Sequence, residues 1–378
     1  MKIQHTAFGL WNGGRYMHYG EPVPDDRFIA LIRSSYDQGV RTFVTADVYG
    51  NGAADTIFGQ AMKGVPRETY ALVGIVGHDF YQGQRDGAKG FPRFTNPGLR
   101  GPQDYQSYLR MATEKSLERC GTDRFDALLL HNPDRIGYTS DAVWNGMQSL
   151  REAGLTRLLG VAPGPANGFS LDLILNFERF QGLIDWAMII LNPFEPWPGE
   201  FVLGAAGKHG VDIMARVVDF GGIFHGDVRP GHEFAKWDHR SYRPAGWVES
   251  SMAKVDQLAP IAEKHGLTLL QLACAWTLGQ KAVKNVVPTL TQEIGEGARP
   301  IEDKLAELAA VQPGCVLAAD ELAFIRHLGE NRGCMKLKGA HPAHEGPDLP
   351  DNWPLDDDTR SAAARWAIDP ERDLAYAH

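Results

Sequence analysis

Arg41 to Gly50, RTFVTADVYG, is the stretch whose reading decides the fold. Gly39 ends the helix before it, Phe43, Val44 and Thr45 are aromatic or β-branched, and Gly50 to Gly52 starts a turn. The pattern is that of a buried strand whose carboxyl end delivers a phenol, Tyr49, onto a loop. A phenol so placed is a candidate proton donor.

The same strand-then-helix rhythm runs outward in both directions. Before it, Phe8 to Trp11 is a short apolar strand, Gly13 and Gly14 turn the chain, and Asp25 and Asp26 precede a helix with Phe28, Leu31, Ile32 and Tyr36 on one face. After it, Ala53 to Lys63 reads as a helix. Tyr70 to Gly77, YALVGIVG, is a third strand without alternation, as expected when both faces are covered. A helix from Asp104 to Cys120 leads into FDALLLHNPD, Phe125 to Asp134, a fourth strand that ends in His131. Four more strands follow at Leu158 to Ala162, Trp186 to Leu191, Val211 to Val218 and Val283 to Leu290, separated by helices.

Eight strands alternating with helices predict an α/β chain folded as a (β/α)8 TIM barrel. One domain is expected over residues 1–378, with long loops after strands three and seven and a C-terminal extension over 334–378. The loop from His78 to Pro102 is glycine-rich, carries Arg85, Lys89, Arg93 and Arg100, and is too long for a connector, so it reads as a lid or substrate-gripping loop. The extension is polar and proline-rich, but Trp353, Trp366 and Tyr376 give it material to pack with. Packing on the outside of the barrel is expected, with closure of one mouth as the alternative.

Composition narrows the function classes. A chain of 378 residues with 43% apolar content buries one large core, and a net charge of −9 argues against nucleic acid or anionic membrane as partners. No run of about 18 apolar residues spans a bilayer, and MKIQHTAFGLWNGG lacks the profile of a signal peptide, so a cytoplasmic protein is expected. Cys120, Cys274, Cys315 and Cys334 have no CxxC or zinc-like spacing and read as free, mostly buried thiols.

In a parallel barrel, catalytic groups come from the carboxyl ends of strands, where the loops converge. That rule selects Trp11, Asp47, Tyr49, His78, Asp79, His131, Asn192, Arg216 and Asp219. His78 and Asp79 are placed to act as a replacement base or to be solvated in a loop. Asp219 and Arg216 are placed to pair with each other, and Arg216 also suits an anionic or polyhydroxylated substrate. His78, Asp79 and His131 come from adjacent strand ends but lack the tight spacing of a metal motif, so no metal is expected.

VYGNG, SLERCGTDRFDALLLHNPD, LREAGLTRLLGV, the glycine-rich turn after strand seven and HGLTLLQLA together resemble the aldo-keto reductases over nearly the whole chain. That family reduces carbonyls with NADP(H); its tyrosine gives the proton while a lysine, an aspartate and a histidine tune the phenol. The resemblance implies Tyr49 and His131 as the catalytic pair. It also implies losses: the family aspartate is Val44 here and its lysine is Ile75. Where the family holds the nicotinamide carboxamide, this chain has Ala162, Pro163 and Met188, and its adenine-contacting asparagine is Lys304. Arg299 alone resembles the phosphate-gripping loop, in which Glu293 and Glu296 would repel a 2′-phosphate unless they point into solvent.

The expectation is an enzyme that has left hydride transfer. It would perform redox-neutral acid/base chemistry, of lyase, hydratase or isomerase type, on a small hydroxyl- or carbonyl-bearing compound of aromatic or sugar-like character. Tyr49 and His131 would be catalytic, with Trp11, Asp47, His78, Asn192, Arg216 and Asp219 binding substrate, and Asp47 equally suited to a structural role. No cofactor is favoured. The alternatives are an NADP(H)-dependent carbonyl reductase, in which Arg216 or Asp47 replaces the missing charges, and a non-catalytic regulatory subunit like the potassium-channel β subunits of this superfamily.

Overall fold

A computed structural model describes residues 2–87, 90–164 and 166–376, apart from the side chain of Tyr242; Lys89 of the long loop lies outside the described residues. Eight parallel strands, β1 (Phe8–Gly9), β2 (Thr42–Ala46), β3 (Ala71–Val76), β4 (Phe125–His131), β5 (Thr156–Ala162), β6 (Trp186–Ile190), β7 (Asp212–Arg216) and β8 (Val283–Val287), neighbour one another in chain order. The ring is completed where the Ala7 amide donates to Val286 O at 3.0 Å and the Val286 amide to His5 O at 2.8 Å. Helices alternate with the strands on the outside, giving the (β/α)8 architecture.

Strand parity builds two separate cores. Val44, Ala46, Val73, Ile75, Ala127, Leu129, Met188 and Met214 point inward and fill the barrel. Their neighbours Phe43, Leu72, Leu128, Ile189 and Ile213 point outward and pack beneath the helices. Because side chains alternate along a strand, the residue two beyond Leu129 and the residue two beyond Met214 also face inward. Those are His131 and Arg216, which bring polar groups to the carboxyl end of the barrel. Gly77, at φ 157°, ends β3 where a Cβ would lie 2.7 Å from His131 O, and its missing side chain lets the two strand ends run together.

The extension packs on the outside of the barrel. Its strands Gly339–His341 and Asn352–Pro354 pair in parallel, and Trp353 inserts beside Tyr138 and Phe169. The Asp172 carboxylate accepts from Trp353 Nε1 at 2.9 Å and from the Ala340 amide at 3.0 Å, tying the extension to helix Ser170–Arg179. Two of the four cysteines, Cys315 and Cys334, are exposed, which corrects the expectation of mostly buried thiols: both lie after β8, outside the barrel's own helices. No helix among the described residues is long and apolar enough to cross a membrane.

Candidate active site

A cavity of about 440 Å³ opens at the carboxyl end of the strands, and Trp11, Tyr49, His78, His131 and Arg216 all line it. Tyr49 is held by a turn in which Gly50 (φ 59°) and Asn51 (φ 56°) are left-handed. Its ring stacks on Tyr16 at 6.0 Å and meets the edges of Trp11 at 6.2 Å and His131 at 5.9 Å. Burial pushes the phenol up to about 12, against the pull of the Arg216 guanidinium, so at neutral pH it carries its proton. The Trp11 indole donates to Thr289 Oγ1 at 3.2 Å, fixing that wall.

His131 is neutral. Burial, followed by His78, Arg93 and Arg216, drives it well below the usual histidine range. Its Nδ1 is buried with no protein partner among the described residues, leaving Nε2 as the nitrogen available to the cavity. His78 is held at about 3 by burial and by Arg93. Its Nδ1 lies 2.8 Å from Phe91 O and must donate; Nε2 therefore accepts from Asn132 Nδ2 at 3.0 Å. With both nitrogens used, His78 is a wall of the site, and its reading as a replacement base is corrected.

Several residues selected by position do not reach the cavity. Asp47 is fully buried and does not line it, and burial followed by Asp55 raises its carboxyl well above the usual range. Asn192 is also fully buried: its Oδ1 accepts from the Phe194 and Glu195 amides, each at 2.9 Å, while Nδ2 donates to Glu195 Oε2 and Val217 O. Asp219 does not pair with Arg216. Its two oxygens accept from the Thr289 amide at 2.7 Å and the Gly222 amide at 3.0 Å, joining the loops after β7 and β8. Asp79 caps the Tyr81 and Gln82 amides and pairs with Arg100, so it does not converge with the two histidines.

The long loop after β3 lends the cavity Arg85, Gly90 and Phe91. Arg93 and Arg100, read as gripping residues, are instead consumed inside the protein: Arg93 pairs with Asp351 of the extension and bonds Asn132 O, and Arg100 pairs with Asp79. Tyr16 and Tyr19, which also line the cavity, were not selected. The run RYMHYG, Arg15 to Gly20, follows β1 and was open to the same strand-end rule.

A nicotinamide dinucleotide is poorly matched by these residues. Ala162 and Pro163 offer no side-chain donor or acceptor, and Val44 and Ile75 are buried and apolar. Arg299 turns away from the cavity, donating to His225 O at 2.6 Å and pairing with Glu307. Lys304 is fully buried against Asp227 and donates to Thr291 O at 2.7 Å. Glu293 is buried too, clasped by both arms of Arg240 at 2.6 and 2.9 Å, and Arg240 also holds Asp238. Arg299, the residue expected to meet phosphate, is thus spent on other protein groups, as are Lys304 and Glu293.

Residues 7–294 match the family model described as the aldo/keto reductase family. The chain belongs to the aldo/keto reductase family. Among its relatives is a probable voltage-gated potassium channel subunit beta from Oryza sativa, 25% identical over 303 residues, with 78% of this chain and 85% of that one covered. A glycerol dehydrogenase from Gluconobacter oxydans shares the fold at a TM-score of 0.66 and 24% identity, over 85% of this chain and 90% of that one. An aldo/keto reductase from Klebsiella pneumoniae, solved in complex with NADP and acetate, shares it at 0.57 and 21%, over 86% and 91%. In this aldo/keto reductase barrel Ile75 and Arg216 line the cavity, and Val44 is buried in the interior core.

Proposed function

We propose that this aldo/keto reductase barrel performs redox-neutral acid/base chemistry on a small molecule carrying a carbonyl beside a carbon-bound hydrogen, with Tyr49 and His131 as catalytic residues. The observation that carries the reading is the pairing of a protonated phenol and a neutral imidazole, edge to face at 5.9 Å, in a cavity whose nicotinamide-contacting positions are apolar. Tyr49 O–H bonds the carbonyl oxygen while His131 Nε2 takes the proton from the adjacent carbon. The C–H electron pair moves into the carbon framework, and the oxygen receives the phenol's proton to give an enol. Where the substrate bears an α-hydroxyl, that hydroxyl returns a proton to the Tyr49 phenolate and the former carbonyl carbon takes the proton held by His131, which completes an isomerisation. Where it bears a β-hydroxyl, the enol O–H returns its proton to Tyr49 and the hydroxyl leaves as water with the proton from His131, which completes a dehydration. The whole chain acts in this reading as one barrel unit with its extension.

Deuterium exchange tests it. In D₂O without nucleotide, an α-hydroxycarbonyl substrate is expected to gain deuterium at the carbon next to the carbonyl, and Tyr49→Phe to lose that exchange. Turnover that consumes NADPH in proportion to product would overturn it.

A second reading, carbonyl reduction with NADP(H), is favoured by the relatives, which include a dehydrogenase and an NADP-bound reductase. Arg216 would then supply the charge on Tyr49 that the absent lysine gives elsewhere. Quenching of tryptophan emission by micromolar NADPH supports this second reading, and flat emission opposes it. The channel-subunit relative keeps a non-catalytic role in view; a stable heteromeric partner whose binding ignores Tyr49→Phe would favour that role.

A further inference from the structure

Arg216 is a guanidinium at the base of the cavity without a carboxylate within ion-pair distance among the described residues. The one hydrogen bond it makes there runs from Nη2 to Gly164 O at 2.6 Å. A guanidinium has five N–H groups, so a pair of them remains to face the space that Arg216 lines. The nearby acids are engaged elsewhere: Asp219 holds the Thr289 and Gly222 amides, and Glu195 holds Asn192 and sits 3.4 Å from Arg243. An enclosed, uncompensated cation is costly, which favours a bound anion.

The rest of the wall agrees in sign. Arg15 and Arg85 also line the cavity and, among the described residues, no aspartate or glutamate does, in a chain whose net charge is −9. Arg15 is already paired with Asp25 and Arg85 is exposed, so Arg216, half-buried and lining the cavity with Tyr49 and His131, is the cation left to meet a ligand. Its backbone setting is specific. The next residue, Val217, is a β-branched side chain held at φ 59°, and Asn192 Nδ2 bonds its carbonyl at 3.0 Å. That strained turn fixes where the guanidinium stands.

We propose that Arg216 is a substrate-binding residue that docks the carboxylate of a small hydroxy- or oxo-carboxylic acid. The free edge of one guanidinium matches the two coplanar oxygens of a carboxylate. Trp11, Tyr16 and Tyr19 offer flat faces to the body of the acid, and the volume of about 440 Å³ suits a compact molecule. The placement of the reacting carbonyl near Tyr49 rests on the acid/base reading given above; the docking itself does not.

The test is binding of lactate, mandelate and gluconate, each against its primary amide, followed by tryptophan emission and calorimetry. At least one acid is expected to bind about tenfold or more tightly than its amide, the scale of one charge-assisted contact. Arg216→Gln should erase the difference and Arg216→Lys, which keeps the charge, should retain part of it. Tyr49→Phe should bind the acids with the wild-type preference. If every acid binds no better than its amide, or if Arg216→Gln keeps the preference, the proposal falls. If the preference holds while Tyr49→Phe leaves turnover unchanged, the docking stands and the acid/base reading falls instead.

Discussion

Tyr49 is packed on three sides by rings, and this separates its chemistry from its structural contribution. Tyr49→Phe keeps the stack on Tyr16 and the edge contacts with Trp11 and His131 while removing the proton donor. Turnover is expected to fall by about 10²- to 10⁴-fold, with the melting temperature nearly unchanged. Burial has a second consequence at this residue. Its folded-state pKa is raised from 10.0 to about 12, so the folded protein holds the proton more tightly than the unfolded chain does. The associated stability is present below pH 10 and is lost as pH rises from there towards about 12. The tyrosinate absorbance lost on Tyr49→Phe should therefore emerge only above the range of an ordinary phenol. Asn192 contributes in another way, because all its hydrogen-bonding capacity is spent on backbone and on Glu195. Asn192→Ala should cost about 1–3 kcal/mol in denaturant unfolding, and by releasing Val217 it should weaken any ligand held by Arg216.

Among the elements, the loop after β8 pairs differently from its sequence reading, because it is clasped by the loop after β7. Glu293 looked like a repulsive charge on a phosphate-binding loop, but it is buried against Arg240, which sits 53 residues earlier and brings Asp238 with it. Glu293→Ala leaves a buried guanidinium with half its compensation, and a loss of about 3–5 kcal/mol is expected on thermal or urea unfolding. A variant losing no stability would show that the loop is not held by this clasp. The extension depends on a similarly small set of contacts. Asp172→Ala removes the acceptor for Trp353 Nε1 and the Ala340 amide. Limited proteolysis should then cut between residues 334 and 376 before the barrel is attacked; unchanged resistance would place the anchor elsewhere, for example at the Arg93–Asp351 pair.

At the scale of the whole molecule, buried carboxyls shape the response to pH. Asp219 and Asp172 are each raised from 3.8 to about 6, mainly by burial. Because the folded state binds these protons more tightly than the unfolded chain, their contribution to stability is fully present below pH 3.8 and declines as pH rises towards about 6. Asp219→Asn should flatten that part of the stability-versus-pH curve, read from urea midpoints across the interval; an unaltered slope would mean that Asp219 titrates normally. The molecule also sets an acidic exterior against a cationic cavity, so anionic ligands enter against the mean field and are held by local groups.

The amino-acid sequence by itself determined the barrel, the order of its strands and the delivery of Tyr49 and His131 to one end. Those features follow from period-two burial along single strands and from turn residues beside them, information confined to a few neighbouring positions. It also shows that Val44, Ile75 and Ala162 are apolar, and an apolar side chain has no hydrogen-bonding capacity wherever it lies. Only the tertiary structure decided which polar groups remain free. Arg216 and Asp219 are three residues apart and seemed natural partners, yet the β7 turn sends the carboxylate to the Thr289 amide, 70 residues away, and leaves the guanidinium to the cavity. Asn192, His78 and Arg299 were likewise drawn off by partners that sequence distance conceals. A hydrogen bond is settled by position in space, and the closed barrel brings the ends of distant strands within reach of one another.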